Sequence, residues 1–236
     1  MVYRDGLLVG ETSVNTFIDA SVRPSDTPAY RVTAVNGAFK ESQSCPTFTL
    51  LEPPSSLIAT GVSATQVHVT WAAVPGAAQY LVERTSDGVS YTQVGMASST
   101  SWDDTTAQID HAYLYRVRAA TPQQSSAASN VDLATTTPFT DDPLAANTTN
   151  VKWAHMSELR RAADAVRALA QLAAATYTYP GGSGTPIHSA DLQEVRAALA
   201  AARAVLGLPV ATYTNGIVTG GQVKAIDFQE VRTAAR

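Results

Sequence analysis

The chain of 236 residues contains one cysteine, Cys45, and therefore has no internal disulfide bond. Charged residues make up 15% of the sequence, compared with about a quarter in an average globular protein. The net charge is −4 and no run of Lys and Arg occurs, which excludes the basic surface that nucleic acids require. The apolar runs are far shorter than the ~20 residues of a membrane-spanning helix. We therefore predict no nucleic-acid partner and no membrane span.

Sequence signatures of catalysis are also missing. No Gly-x-Ser-x-Gly nucleophile elbow and no phosphate-binding glycine loop occur, and residues 181–184 are interpreted as an inter-helix loop. The carboxylate pairs at 103–104 and 141–142 are predicted to lie in a turn and in a linker. The histidines lack the spacing of metal ligands. They are His68, His111, His155 and His188. The sequence predicts no enzyme activity, no cofactor and no metal site.

Apolar residues, by contrast, make up 45% of the chain, and Thr, Ser and Ala fill many of the remaining positions. The apolar content suffices for packed cores, and low charge with Thr- and Ser-rich strands is common in exported β-proteins. The scarcity of cysteine favours a bacterial source. Cys45 is interpreted as a small buried or edge residue, the alternative being a reactive or intermolecular thiol. Residues 1–6 lack the features of a signal peptide, and we expect an internal piece of a longer secreted or cell-surface protein.

Residues 53–137 contain short runs of alternating apolar and polar residues separated by turns, which predicts strands of a β-sandwich with one buried face. The runs are Val67-His68-Val69-Thr70-Trp71, Tyr80-Leu81-Val82 and Tyr113-Leu114-Tyr115-Arg116-Val117-Arg118-Ala119. Together with Pro53, Pro54 and Leu57, they resemble a fibronectin type III domain. The resemblance implies a seven-stranded sandwich with Trp71 on the second strand and Tyr113 as the corner tyrosine. The predicted core residues are Trp71, Tyr80, Tyr113 and Tyr115.

Residues 1–52 resemble the second half of another copy of this domain. Residues 30–34 match residues 115–119 at a constant offset of 85, and residues 16–19 resemble residues 100–103. The first two strands and the core tryptophan are missing, and Pro28 stands at the corner-tyrosine position. Three interpretations are open: a truncated gene product, strands supplied by another chain, or altered packing on neighbouring modules.

Residues 138–150 contain clustered Pro, Asp and Asn without periodicity and are predicted to form a linker. Beyond this linker a pattern recurs every 36 residues, with glutamates at Glu158, Glu194 and Glu230. This period predicts an α-helical repeat array over 151–236, and the array resembles an unnamed helical repeat of bacterial secreted proteins. The predicted units lie near 151–186, 187–222 and 223–236. Apolar positions that step by three and four indicate an amphipathic helix at the start of each unit.

Carboxylates are predicted to cap these helices. Asp191 with Glu194, and Asp227 with Glu230, fall in the first turn, where capping boxes form. His155 takes the corresponding place in the first unit and is assigned the same role at the start of a helix.

Two tryptophans are candidate ligand-contact residues, because exposed aromatic rings can stack on sugars. Trp102 falls on the predicted fifth strand of the sandwich, and Trp153 opens the helical array. The alternative for each is core packing, which for Trp153 would seal the junction with the sandwich.

The predicted fold is multi-domain β + α: an immunoglobulin-like, fibronectin type III β-sandwich, preceded by a partial β-sandwich and followed by the helical repeat array. The function expected first is a non-catalytic structural spacer and interaction module. One alternative is a carbohydrate- or surface-partner-binding module accessory to a polysaccharide-degrading enzyme. Another is a self-assembling extracellular filament subunit that uses strand complementation. The expected partners are a protein or a second copy at the incomplete sandwich, and a polysaccharide.

Overall fold

The computed structural model describes residues 1–23, 26–45, 48–145, 148–216 and 220–236. Within these ranges, strands precede helices along the chain. The strands are β1 (Val2–Arg4), β2 (Leu7–Gly10), β3 (Ala29–Val32), β4 (Phe48–Thr49), β5 (Ile58–Ser63), β6 (Gln66–Thr70), β7 (Gln79–Thr85), β8 (Thr92–Ala97), β9 (Ser101–Asp104), β10 (Ala112–Ala120) and β11 (Asp132–Thr135). The helices are α1 (Trp153–Leu169), α2 (Ser189–Val205) and α3 (Ala225–Ala234). None of the described helices has the length and apolar content that crossing a bilayer requires.

Strands β5 to β11 form a two-layer β-sandwich. One sheet has the order β5-β6-β9 and the other the order β11-β10-β7-β8. Side chains alternate along each strand, so each sheet has an apolar face, and the two apolar faces share one core. Val67 and Val69 of β6 belong to this core together with Val82 of β7 and Val117 of β10, all 0% exposed. This architecture is that of an immunoglobulin-like sandwich.

Aromatic residues fix the geometry of the sandwich core. Trp71 packs against Tyr80 with their ring centroids 5.3 Å apart, and the Tyr80 hydroxyl accepts the N–H of Val74 at 2.8 Å. The Tyr113 hydroxyl accepts the N–H of Gln108 at 3.0 Å, the hydrogen bond that defines a tyrosine corner. The structure buries each of the predicted core residues, Trp71, Tyr80, Tyr113 and Tyr115.

The first half-domain forms a single sheet with the order β2-β1-β3-β4. Strand by strand, this order corresponds to β8-β7-β10-β11 of the sandwich. The register corresponds too: Val2 pairs with Val32 and Arg4 with Tyr30, as Val82 pairs with Val117 and Arg84 with Tyr115. Among the described residues before β5, none forms strands equivalent to β5 and β6. One face of this sheet therefore has no second layer.

Each helix begins with the same hydrogen bond. The side chain three residues after the N-cap accepts the N-cap backbone N–H, which would otherwise have no partner within the helix. These bonds are His155 Nδ1 with Lys152 at 3.1 Å, Asp191 with His188 at 2.8 Å, and Asp227 with Lys224 at 2.8 Å. The predicted role of His155 at a helix start is thus seen directly. Glu194 and Glu230 lie outside these bonds and bind the preceding segments instead.

The helices and the sandwich share an apolar core. Ala112 and Leu114 of β10 and Leu133 of β11 pack in one cluster with Met156 and Leu159 of α1. The sequence alternation predicted that the outer face of β10 is exposed to water. Leu114 on that face is only 2% exposed, because α1 covers it. Strand β10 therefore contributes to two cores, one on each face.

Residues 138–145, part of the predicted linker, make specific contacts with the helices. Leu144 is 6% exposed and belongs to the core shared by α1 and β10. Phe139 packs against the same core, and the Thr140 hydroxyl donates to Glu158. The composition of this segment indicated a linker, but its apolar and hydroxyl side chains attach it to the first helix.

Candidate functional site

Trp102 lies on β9, half-buried at the edge of the sandwich core. Its ring covers Gly95 of β8, where an added Cβ atom would come within 2.3 Å of Cε2. Phe17 covers Gly10 of β2 at the same distance in the N-terminal sheet. An aromatic ring packed over a glycine thus occurs in both the sandwich and the N-terminal sheet, which indicates a role in packing. The ligand-contact role of Trp102 stays a prediction.

Trp153 begins α1 and lies half-buried between Arg160 and Gly181. The Arg160 guanidinium carbon is 4.9 Å from the ring centroid, and a Cβ atom on Gly181 would overlap the ring. The ring also forms part of the wall of a cleft of about 1250 Å³. Of the two predicted ligand-contact residues, Trp153 is the one that a bound molecule in this cleft could reach.

The cleft lies at the amino-terminal ends of the three helices. Its walls come from corresponding parts of the three units, residues 151–154, 183–187 and 220–223. Apolar side chains recur at one position of each wall. They are Val151, Ile187 and Val223. Hydroxyl and amide groups of the same segments and the cationic side chain of Lys152 complete the lining.

The histidines and the cysteine hold local structure. His68 Nδ1 lies 2.6 Å from Asp103 on the sandwich surface, and His111 Nδ1 lies 2.8 Å from the carbonyl of Ile109. Cys45 is partly buried beside β3, where its Sγ accepts the N–H of Val32 at 3.1 Å. Over the described ranges, no three His, Cys, Asp or Glu side chains come together in a group that could hold a metal ion.

Arginines at intervals of 36 residues tie the helical units together, a feature that the sequence analysis missed. Arg160 stacks on Tyr177 at 4.2 Å and donates to Asp191 at 2.9 Å. Arg196 stacks on Tyr213 at 3.9 Å and lies 3.7 Å from Asp227. Each arginine thus packs on an aromatic ring and faces a carboxylate of the following unit.

The third arginine links the third helical unit back to the first. Arg232 of α3 stacks on Phe139 at 4.9 Å and donates to Glu158 at 3.1 Å, so it binds the first unit. In that unit His155 stands where Asp191 and Asp227 stand in the others. Arg232 consequently pairs with Glu158, and its buried guanidinium also donates to the carbonyl of Thr140 at 2.8 Å.

The repeated glutamates fasten the segment in front of each helix. Glu158 accepts the N–H of Thr140 at 3.0 Å, Glu194 that of Thr178 at 3.1 Å, and Glu230 that of Thr214 at 3.0 Å. Each threonine directly follows the aromatic residue on which an arginine stacks. Thr140 therefore corresponds to Thr178 and Thr214, which explains why the predicted linker is held against α1.

A buried polar cluster crosses the sandwich core at Asp104. Its Oδ2 accepts the Tyr115 hydroxyl at 2.8 Å and a guanidinium N–H of Arg84. Its Oδ1 accepts the N–H and the hydroxyl of Thr106 at 2.8 and 2.7 Å. Burial raises the pKa of Asp104, but these donors outweigh burial and hold its pKa below the ordinary value. Burial and the neighbouring Asp104 raise the pKa of Tyr115.

The same cluster recurs in the N-terminal sheet. Asp19 Oδ2 accepts Arg4 and the Tyr30 hydroxyl, each at 3.0 Å, and Asp19 Oδ1 accepts the N–H and hydroxyl of Ser21. Hydrogen bonds from Ser21 are the main cause of a lowered pKa at Asp19. Asp19 therefore corresponds to Asp104.

The predicted alignment of Asp19 with Asp103 is off by one residue. The predicted turn at 103–104 is also wrong, since both residues lie on β9. As their strand period requires, they point in opposite directions: Asp103 outward to His68 and Asp104 into the core.

The uncovered face of the N-terminal sheet contains an apolar groove of about 360 Å³. Its wall is formed by the equivalents of sandwich core residues. They are Val2, Phe17, Asp19, Val22, Tyr30, Val32 and Leu50. Val32 is 44% exposed there, whereas its equivalent Val117 is 0% exposed. We call this surface the open face.

Comparison with known proteins gave similarities among solved structures. A Fn3-like protein from Clostridium thermocellum is 28% identical, with 34% of this chain and 88% of that chain covered and a TM-score of 0.33. The sixth fibronectin type III domain of human fibronectin type III domain containing protein 3 is 22% identical over 37% of this chain and 84% of its own, with a TM-score of 0.32. No protein-family profile and no curated protein matches the chain.

A β-1,2-glucanase from Parabacteroides distasonis is 19% identical, with 50% of this chain but only 14% of the glucanase covered and a TM-score of 0.32. The fibronectin type III neighbours extend over about a third of this chain. The class of the fold rests on the chain's own strand order and tyrosine corner, which define an immunoglobulin-like β-sandwich joined to a helical part.

Proposed function

We propose that the chain is a non-catalytic framework and interaction module of a secreted or cell-surface, multi-domain bacterial protein. The observation that carries this proposal is the apolar core that continues from the sandwich into the helices. A spacer has to hold the modules that it connects in fixed relative positions. An apolar core shared by the sandwich and the helices resists bending at the junction between them. The predicted helical repeat belongs to this proposal as a compact helical part fixed to the sandwich.

The state of the buried carboxylates supports a framework role. Asp104, Asp191, Asp227 and Glu158 each face an arginine within 4 Å. Each also accepts a backbone N–H, so its hydrogen bonds are used to hold chain segments together. A general acid or base needs a proton-transfer partner in reach of a substrate, and these groups are occupied instead by structural donors.

The framework proposal predicts that the sandwich and the helices unfold together. In a Trp153→Phe variant the remaining tryptophans, Trp71 and Trp102, lie in the sandwich, so tryptophan fluorescence reports on that part alone. We expect its urea midpoint to coincide with that of far-ultraviolet circular dichroism, which follows the helices. Loss of the helical signal at a distinctly lower urea concentration would show two independent parts and contradict the proposal.

Binding of a polysaccharide is a second candidate function, favoured by the position of Trp153 on the wall of the cleft. An aromatic ring beside hydroxyl and amide groups is the kind of surface on which a sugar stacks. Retention of the chain on insoluble glycans that is lost in Trp153→Ala and kept in Trp102→Ala would favour this function. Absence of retention would leave the framework role.

Filament formation by stacking of helical units is disfavoured by the contacts of Arg232. An open array would leave the surface of its last unit free for the next subunit. Here Arg232 of the third unit already binds Phe139, in the segment before α1, and Glu158 of the first unit.

A further inference from the structure

The segments in front of the first and third helices each contact the first turn of their helix through one side chain. In the first unit, Asp141 Oδ2 lies 3.2 Å from Nε2 of the buried His155. In the third unit, the side-chain amide of Asn215 donates to Oδ1 of Asp227 at 3.0 Å. Asp141 and Asn215 correspond, since each directly follows the threonine that the repeated glutamate binds. Each pair contains a single carboxylate, so a second carboxylate at position 215 would be unfavourable.

Asn215 is followed directly by Gly216. The backbone nitrogen of the residue after an asparagine can attack the side-chain amide carbon, and the two groups need no encounter between molecules because they belong to neighbouring residues. Glycine obstructs this attack least, since it has no Cβ atom. Gly216 is exposed, and in the part of the chain that the structure describes its N–H donates to no acceptor. A Cβ atom added there would meet nothing beyond its chain neighbours within 4 Å, so water has access to the reacting atoms.

We propose that Asn215 is a site of intramolecular deamidation, and that the modified residue loosens the third helical unit from the second. The Gly216 nitrogen loses its proton to hydroxide and forms a bond to Cγ of Asn215. The bond from Cγ to the amide nitrogen breaks, this nitrogen takes a proton from water and leaves as ammonia, and a succinimide ring remains. Addition of water to either ring carbonyl opens the ring to aspartate or isoaspartate and releases a proton. The reactants are the chain and water alone, and the proposal goes beyond the framework role.

Either product places a carboxylate where the Asn215 amide donates to Asp227. Asp227 is 3% exposed, so water screens the repulsion between the two carboxylates only weakly. The segment that this repulsion pushes outward carries Tyr213, on which Arg196 of the second unit stacks at 3.9 Å. Arg196 also donates to the backbone carbonyl of Asn215 at 2.9 Å, and isoaspartate displaces that carbonyl because it lengthens the backbone. Deamidation therefore acts on the contacts that join the second and third units.

A second Asn-Gly pair, Asn36-Gly37, serves as an internal comparison. Asn36 uses its side-chain oxygen, which accepts the backbone N–H groups of Ala38 and Lys40 at 3.0 Å each. A carboxylate oxygen accepts the same hydrogen bonds, so aspartate at this position keeps them. The same change of side chain should consequently leave the stability of the helical part unchanged at position 36 and lower it at position 215.

The modification is tested on the full chain, incubated in mildly alkaline buffer and then digested with trypsin. The peptide of residues 204–224, between the cleavage sites at Arg203 and Lys224, should gain about 1 Da in a fraction that grows over days. Electron-transfer fragmentation should find both aspartate and isoaspartate at position 215. Gly216→Ala should slow the change several-fold, since its Cβ atom obstructs the attack on Cγ. No gain in mass at position 215, or an equal rate in Gly216→Ala, overturns the proposal.

The consequence is tested by the urea midpoint of the far-ultraviolet circular dichroism, which follows the helices. We expect Asn215→Asp to lower this midpoint, and Asn36→Asp, the matched control, to leave it at the value of the unmodified chain. The fraction of wild-type chain deamidated at position 215, separated by anion exchange, should show the lower midpoint too, and its molecules folded before they reacted. An unchanged midpoint in that fraction and in Asn215→Asp, or equal losses in the two variants, contradicts the loosening of the third unit.

Discussion

Replacement of Asp104 by alanine should destabilise the chain by about 3–5 kcal/mol, the usual effect of removing one partner from a buried ion pair. Asp104 is 0% exposed and is the common acceptor for Arg84, Tyr115 and Thr106. Without the carboxylate, the Tyr115 hydroxyl has no acceptor in the core, and the positive charge of Arg84 is left without its counter-ion. The free energy of unfolding, measured in urea, checks this expectation.

Asp19→Ala is the matched control for Asp104→Ala. Asp19 has the same three kinds of partner, but its cluster lies on the open face. Water can replace the lost carboxylate there, so we expect a clearly smaller effect. Equal losses in the two variants would mean that the covering layer of β5, β6 and β9 does not cause the large effect at Asp104.

Acid should weaken the same cluster. The folded chain holds the pKa of Asp104 below its ordinary value, so between the two pKa values the unfolded chain binds more protons. The stabilisation by the carboxylate is therefore complete above the unfolded pKa of about 3.9 and is lost as the pH falls through the folded value. In Asp104→Asn this part of the acid dependence should disappear. A wild-type stability that rises on acidification in this range would contradict the assignment.

Much of the sandwich could be predicted from the period of its apolar residues. The alternation at 67–71, 80–82 and 113–119 identified strands with a buried face, and the structure gives these strands a two-layer core. The alternation could not show that β10 is covered on both sides. Leu114 occupies an outer position of that strand, and only the arrangement of α1 in space buries it.

The sequence contained the information needed to align Asp19 with the correct aspartate of the sandwich, but the local similarity was misinterpreted. Local similarity of threonine and serine suggested that Asp19 corresponds to Asp103. The constant offset of 85 that matched Tyr30 with Tyr115 maps Asp19 onto Asp104 instead, and the hydrogen bonds agree with the offset. Of two adjacent aspartates on a strand, only one can point into the core. The alignment of the whole half-domain with the sandwich shows which one it is.

The helices could be predicted from the 36-residue spacing, but the closing contact could not. Glu158 and Arg232 are 74 residues apart, and their meeting depends on how three helices pack. The first repeat was also obscured, because Phe139 precedes α1 where Tyr177 and Tyr213 precede α2 and α3, and because His155 replaces the aspartate of the later helices. An aromatic residue followed by threonine precedes each helix, with the threonines at Thr140, Thr178 and Thr214. These pairs could have identified the segment before α1 as part of the repeat.

Arg232→Met should destabilise the helical part by about 3–5 kcal/mol, because it leaves Glu158 buried without its counter-ion. The Arg232 side chain is 0% exposed and lies 3.1 Å from Glu158, and it donates as well to the carbonyls of Thr140 and Asp141. The loss should appear in the urea midpoint followed by far-ultraviolet circular dichroism. Methionine fills a similar volume, so the change reports on the charge and its hydrogen bonds.

Arg161→Met provides the comparison within the same helical part. Arg161 pairs with Asp110 at 3.0 Å, but its side chain is 45% exposed, and exposed pairs contribute about 0–1 kcal/mol. A double-mutant cycle of Arg232→Met with Glu158→Gln isolates the closing pair, and we expect a coupling energy of about 1–3 kcal/mol. If Arg232→Met costs no more than Arg161→Met and the cycle shows no coupling, the contact between the third unit and the first does not hold the helices together. The helical part would then be an open array, and stacking of its units would again explain the 36-residue repeat.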